Sequence, residues 1–193
     1  MAGGVSQGKD QWDGDLNRIV RRATESACSA AGMLRRMVSE EELFVVVATP
    51  SPVPAVVDRA HWPVHVTVAG NFRVDGSSAA AIHALLESTV QCVAAFGVRL
   101  GPLDRFGVAK DVAVLLASHP LFDRMHESLA VDLMHVPGFA PAEPRHWRDG
   151  YRPHATLGPA VRAKDGDVLP ISTLTLVSLH GVNGRRRFAV DLS

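Results

Sequence analysis

The apolar positions of the chain change period several times, and each change marks an element. From about Asp15 to Met37, Leu16, Ile19, Val20, Ala23, Ala27, Ala30, Ala31 and Leu34 recur at helical spacing. Arg18, Arg21, Arg22, Arg35 and Arg36 lie largely between them, which predicts an amphipathic helix with a solvated basic face. The run Leu43-Phe44-Val45-Val46-Val47-Ala48, closed by Thr49-Pro50-Ser51-Pro52, predicts a buried strand. A second strand is expected over Val64–Ala69. Asp75-Gly76-Ser77-Ser78 is a turn that caps a helix over Ala79–Ala95, with Ile82, Leu85, Leu86, Val90 and Val93 on one side. Phe96–Leu100 and Val112–Ala117 have the pattern of two paired strands, and Gly101-Pro102-Leu103-Asp104 that of a turn. Pro120 opens a helix through Leu121, Met125, Leu129, Leu133 and Met134. Pro137–Arg148 is a Pro-rich loop, and Arg152–Leu157 is a strand. The last two strands, Leu174–Leu179 and Arg186–Leu192, are joined through Gly181-Val182-Asn183-Gly184, where Asn183-Gly184 is the hairpin signal.

These elements divide the chain into a polar, Gly-rich tail at 1–14, a segment at 15–42 carrying the amphipathic helix, and an α+β domain at 43–193. Each half of that domain holds one long helix and one strand with a His-x-Thr pattern. The repetition suggests two similar lobes, each with an antiparallel sheet, facing a central cleft with helices outside. With 193 residues, 47% of them hydrophobic, the chain buries a core without needing disulfides or a structural metal. Twenty basic residues balance twenty acidic ones, so no overall field draws it to nucleic acid or an anionic membrane. Any nucleotide or RNA end is met by a local site. Cys28 and Cys92 sit in alanine-rich stretches without metal-ligand partners and read as buried thiols, consistent with a cytoplasmic protein. Met1–Gln11 lacks the apolar core of a signal peptide. Pro50, Pro52 and Pro54 interrupt the apolar run Phe44–Val57, so it is no membrane helix.

The chemistry lies in His65-Val66-Thr67-Val68 and His154-Ala155-Thr156-Leu157, about ninety residues apart. Successive strand side chains point to opposite faces, so His65 and Thr67 share a face roughly 7 Å apart, with Val66 and Val68 turned away. His154 and Thr156 repeat this, backed by Ala155 and Leu157. Two imidazoles and two hydroxyls around one cleft suit phosphodiester chemistry. One imidazole takes a proton from the attacking oxygen and the other gives one to the leaving oxygen. The hydroxyls donate to non-bridging phosphate oxygens. No metal or other cofactor is needed. A single His-x-Thr strand is more often structural than catalytic; two copies are far less often a coincidence.

At these residues the chain resembles the two-histidine (2H) phosphoesterase superfamily, which includes the 2′–5′ RNA ligase-like cyclic phosphodiesterases. The phrase Arg152-Pro153-His154-Ala155-Thr156-Leu157 is very like the family's second motif, and the element order from about Leu43 to Leu192 fits its bilobal fold. The resemblance implies that His65 and His154 are the acid–base pair and that Thr67 and Thr156 bind phosphate. It implies cleavage of a 2′,3′-cyclic phosphate or a 2′–5′ phosphodiester in RNA ends or small nucleotides. Apart from the resemblance, the chain is expected to be a monomer without membrane attachment. The alternatives are a nucleotide- or RNA-end-binding module without useful turnover, and a 2′–5′ RNA ligase. Gly70-Asn71-Phe72-Arg73 departs from the family, being polar where many relatives continue apolar.

Other residues carry weaker signals. Tyr151, the only tyrosine, either contacts a base or phosphate or forms a wall of the core. Arg187, in the cluster Arg185-Arg186-Arg187, either reaches the phosphate cleft or belongs to a charged edge strand. Arg73 and Arg105 are further cationic candidates. His61 and His65 are separated by Pro63 and cannot share a helix face, so they form no metal pair. His119, His126, His135 and His146 fall on a helix or in loops and read mostly as surface residues. Walker, dinucleotide and Gly-x-Ser-x-Gly fingerprints are absent.

Overall fold

The computed structural model describes residues 41–193; the tail at 1–14 and the amphipathic helix from Asp15 lie outside the described residues. The apolar run at Leu43 becomes strand β1 (Glu41–Thr49), at the centre of a six-stranded antiparallel sheet. Its other strands are β2 (Val56–Asp58), β3 (Val66–Asp75), β7 (Ala140–Pro141), β10 (Thr173–His180) and β11 (Asn183–Asp191). The order is β2-β11-β10-β1-β3-β7. Alternation along β1 sends Phe44, Val46 and Ala48 into the main core, and Val45 and Val47 to the opposite face with Val57, Val177 and Leu179. Both faces of β1 are therefore apolar, which is why its sequence reads as a continuous run.

Among the described residues, two helices cover the core face. Helix α1 (Ala79–Val90) buries Ile82, Leu86 and Val90 and packs on β11; α2 (Pro120–Leu133) buries Phe122, Met125, Leu129 and Leu133 and packs on β3. Pro120 occupies the first turn of α2, and His119 Nδ1 caps it by accepting from the Leu121 N–H. Phe72 and Phe122 are fully buried, and each such ring contributes about 1.5–3 kcal/mol of transfer free energy. Helix α1 ends five residues short of the expected Ala95. Val93 turns into the core, and Cys92 is left exposed rather than buried. Among the described residues, no helix is long and apolar enough to cross a membrane.

The second lobe consists of short strands. β4 (Phe96–Arg99) pairs with β9 (Val168–Ile171), and β6 (Val112–Leu116) lies between β5 (Leu103–Phe106) and β8 (His154–Thr156). The fold is thus α+β with antiparallel sheets, the smaller lobe being divided in two. Phe96–Leu100 and Val112–Ala117 do not form the direct pair expected from sequence. The chain bends at Gly101, which has φ 119°, and the expected turn at 101–104 instead feeds a strand along β6. The final hairpin also differs. His180 pairs with Asn183, so Gly181-Val182 is the turn and Gly184 lies within β11. A Cβ on Gly184 would stand 2.9 Å from Val177 and 3.0 Å from Val57, so this glycine serves close strand packing.

Candidate active site

Both His-x-Thr strands form, and each buries its anchoring face. Val66, Val68 and Ala155 are fully buried and Leu157 packs against the core, while His65, Thr67 and His154 are half-buried and Thr156 is exposed. Thr67 is fixed by pairing with Val47 of β1, and Thr156 by pairing with Val114 of β6. Strand β8 is an edge strand, which tolerates Pro153 immediately before it. After Thr67 the β1–β3 register shifts twice. These irregularities turn Asn71 toward the cleft while keeping Phe72 in the core. The polar stretch Gly70–Arg73 is thus a continuation of the strand.

The two imidazoles are held alike. His65 Nδ1 lies 2.8 Å from the Pro63 carbonyl, and His154 Nδ1 lies 2.7 Å from the Arg152 carbonyl, in each case the residue two before the histidine. A carbonyl only accepts, so Nδ1 carries the proton and donates. Nε2 is then the nitrogen left for chemistry in both rings. Burial pushes the pKa of each below its ordinary value. The carbonyl hydrogen bond opposes this, and the charge of His154 lowers His65 further. Each ring also has an aromatic neighbour that its motif does not reveal. Trp62 is 4.9 Å from His65 between ring centres, and Phe106 is 4.6 Å from His154.

The cleft has two compartments that share Thr67. The narrower, of about 360 Å³, is lined by His65, Thr67, Asn71 and Thr156 over an apolar floor of Val45, Val47, Trp62 and Leu179. The wider, of about 500 Å³, holds Tyr151 and His154 with Arg105, Phe106, Lys110 and Arg152. Among the described residues, neither the Thr67 nor the Thr156 hydroxyl has a hydrogen-bond partner, so both remain available as donors. Of the four residues expected from sequence, His65, Thr67 and Thr156 line the narrower compartment, and Thr67 and His154 the wider. No group of three or more His, Cys, Asp or Glu among the described residues is arranged to hold a metal ion.

Tyr151 packs against the core. It lines the cleft, and its hydroxyl donates to the Thr67 carbonyl at 2.9 Å. Burial holds its pKa far above the usual phenol value, so it stays protonated. Its ring stacks on His126 at 3.9 Å and 6°. His126 is not a surface residue: it is 2% exposed. Its Nδ1–H donates to the Val68 carbonyl at 2.7 Å, and its Nε2 accepts from the Arg148 N–H at 2.8 Å. His126 therefore ties the first motif to the segment that enters the second. Its position four after Phe122 and three before Leu129 puts it on the buried stripe of α2, a signal present in the sequence. Arg187 pairs with Glu42 at 3.3 Å and lines neither compartment; Arg105 lines the wider one. No sequence signal links Phe106 to His154, since a different strand carries it.

Comparison with known proteins bears on the family and the fold. The model of the 2′–5′ RNA ligase superfamily matches residues 48–176. TT0787 of Thermus thermophilus has a similar fold, with a TM-score of 0.52 and 18% identity over 78% of this chain and 97% of that one. E. coli LigT, solved in complex with 3′-AMP, gives a TM-score of 0.48 and 15% identity over 80% of this chain and 99% of its own. Among curated proteins, none is matched by sequence.

Proposed function

The chain belongs to the 2′–5′ RNA ligase superfamily, the two-histidine phosphoesterases, and from that premise we propose that it is a metal-independent phosphodiesterase. Its proposed substrate has a 2′,3′-cyclic phosphate or a 2′–5′ phosphodiester in an RNA end or small nucleotide. His65 and His154 are the acid–base pair, and Thr67 and Thr156 hold the phosphate. The observation that carries this reading is the matched tethering of the two imidazoles. Each Nδ1–H is committed to a main-chain carbonyl, which leaves each Nε2 for proton transfer at the cleft.

In the reaction, one Nε2 takes the proton of the attacking water as its oxygen bonds to phosphorus. The other imidazole, protonated, donates to the leaving sugar oxygen as its bond to phosphorus breaks. The threonine hydroxyls meet the charge on the non-bridging oxygens. The depressed pKa values favour the neutral base at pH 7, and the His154 charge acting on His65 favours singly protonated pairs. A pure binding module has no use for two matched proton-transfer groups, so hydrolysis is the reading preferred.

The test uses His65→Ala and His154→Ala with 2′,3′-cyclic AMP and a 2′–5′ linked adenylate dimer. Each variant is expected to lose at least about 10²-fold in kcat while remaining folded, and EDTA is expected to change nothing. Full activity in either variant, or binding without product in the unaltered protein, defeats the proposal.

A further inference from the structure

The reaction just described needs two imidazoles and two hydroxyls. It has no use for the other cations of the wider compartment. Arg105, Lys110, Arg145 and Arg152 line that compartment with His146, and no Asp or Glu does. Two of these cations are partly offset from behind, Arg152 by Asp104 at 3.0 Å and Arg145 by Glu143 at 3.1 Å. Among the described residues, the side chains of Arg105 and Lys110 make no hydrogen bond or ion pair, and Lys110 acts on Asp104 only at longer range.

The narrower compartment is different. Its single Arg or Lys, Arg59, is committed to the Gly181 carbonyl at 2.9 Å, and its floor is apolar. Positive charge is therefore concentrated on the His154 side of the shared Thr67. Phe106 stiffens that side. Its ring packs against His154, and the Arg152 guanidinium lies 4.7 Å over it. The β5–β6 hairpin supplies Gly107, Val108 and Lys110 to the same wall, and Val108 is 93% exposed at its tip. A pocket lined by cations without carboxylates, next to a site for one phosphate, suits a second anionic group.

We infer that the substrate carries a second phosphate, beyond the one that reacts, held among Arg105, Lys110, Arg145 and Arg152. The preferred substrate is then a nucleotide bearing phosphates at two positions, of which a bare cyclic mononucleotide is a minimal analogue. The inference rests on the phosphoesterase reading for the identity of the first phosphate. The second site is a binding claim and is tested by binding.

Adenosine 2′,5′-bisphosphate and adenosine 2′-monophosphate are the probes, titrated by calorimetry into the full chain at low and at moderate salt. The bisphosphate is expected to bind at least about tenfold tighter, with the advantage shrinking as salt rises. In Arg105→Ala/Lys110→Ala the advantage falls to within about twofold, whereas Arg99→Ala, which removes a charge outside both compartments, retains it. Lys110→Glu alone, at the exposed hairpin, gives the same direction should the double variant misfold. Equal affinity for the two probes, or an undiminished advantage in the charge-removed variants, overturns the inference. Tight, Arg105-dependent binding of the bisphosphate in a protein that hydrolyses no diester leaves the second-phosphate site standing and defeats the phosphoesterase reading alone.

Discussion

Replacing His126 with Phe tests how the two halves of the cleft are joined. Phe keeps a flat ring against Tyr151 and removes both hydrogen bonds, those to the Val68 carbonyl at 2.7 Å and from the Arg148 N–H at 2.8 Å. Each bond contributes about 1 kcal/mol net, and a buried partner left unpaired costs about 1–3 kcal/mol more. The Arg148 N–H regains water more easily than the Val68 carbonyl, so the expected loss of stability is about 2–4 kcal/mol. Denaturant unfolding with an unchanged slope measures it. Thr67 and the segment entering β8 lose their common support, so kcat is expected to fall about tenfold, with KM moving less. The change also alters acid sensitivity. Burial holds the His126 pKa below its ordinary 6.5, and Nε2 must stay unprotonated to accept from Arg148. The stabilisation from this neutral ring is complete above 6.5 and is lost as pH falls through the depressed folded value. The unaltered protein should therefore lose more stability between about pH 7.5 and about pH 5.5 than His126→Phe does. A variant within about 0.5 kcal/mol of the parent at neutral pH, with kcat unchanged, refutes the reasoning.

Two further outcomes are expected. Thr175 is fully buried with an unpartnered hydroxyl, so Thr175→Val should stabilise the protein by about 1 kcal/mol, seen as a raised Tm; a lowered Tm counts against this reading. The charge of His154 depresses the His65 pKa, after the larger effect of burial, so His154→Gln should raise the His65 pKa measured by NMR titration; no upward movement means the rings do not interact.

Much of the site was legible because a strand's period of two writes its faces into the sequence. His65, Thr67, His154 and Thr156 were assigned to one side on that ground, and the burial of Val66, Val68 and Ala155 agrees. The elements that failed depend on distant partners. Strand β4 pairs with Val168–Ile171, about seventy residues later, and no local pattern announces that pairing. Asn183-Gly184 has the stronger turn chemistry, yet the crowding of Gly184 by Val57 and Val177 moves the turn to Gly181-Val182. Phe106 reaches His154 only through the β5–β6–β8 sheet. His126 was legible in principle, since it sits on the apolar stripe of α2. A histidine on a helix reads first as a surface residue, although a buried imidazole with both nitrogens paired is readily accommodated.

The tethers of the two histidines bear on how this chain can change over evolutionary time. Where a side-chain carboxylate orients an imidazole, one substitution abolishes the tautomer. Here the orienting acceptors are the carbonyls of Pro63 and Arg152, which belong to the main chain and survive exchange of either side chain. The side chains at 63 and 152 are thus released from holding the tautomer and can drift toward new substrates. Selection on the tautomer acts on the local path of the backbone.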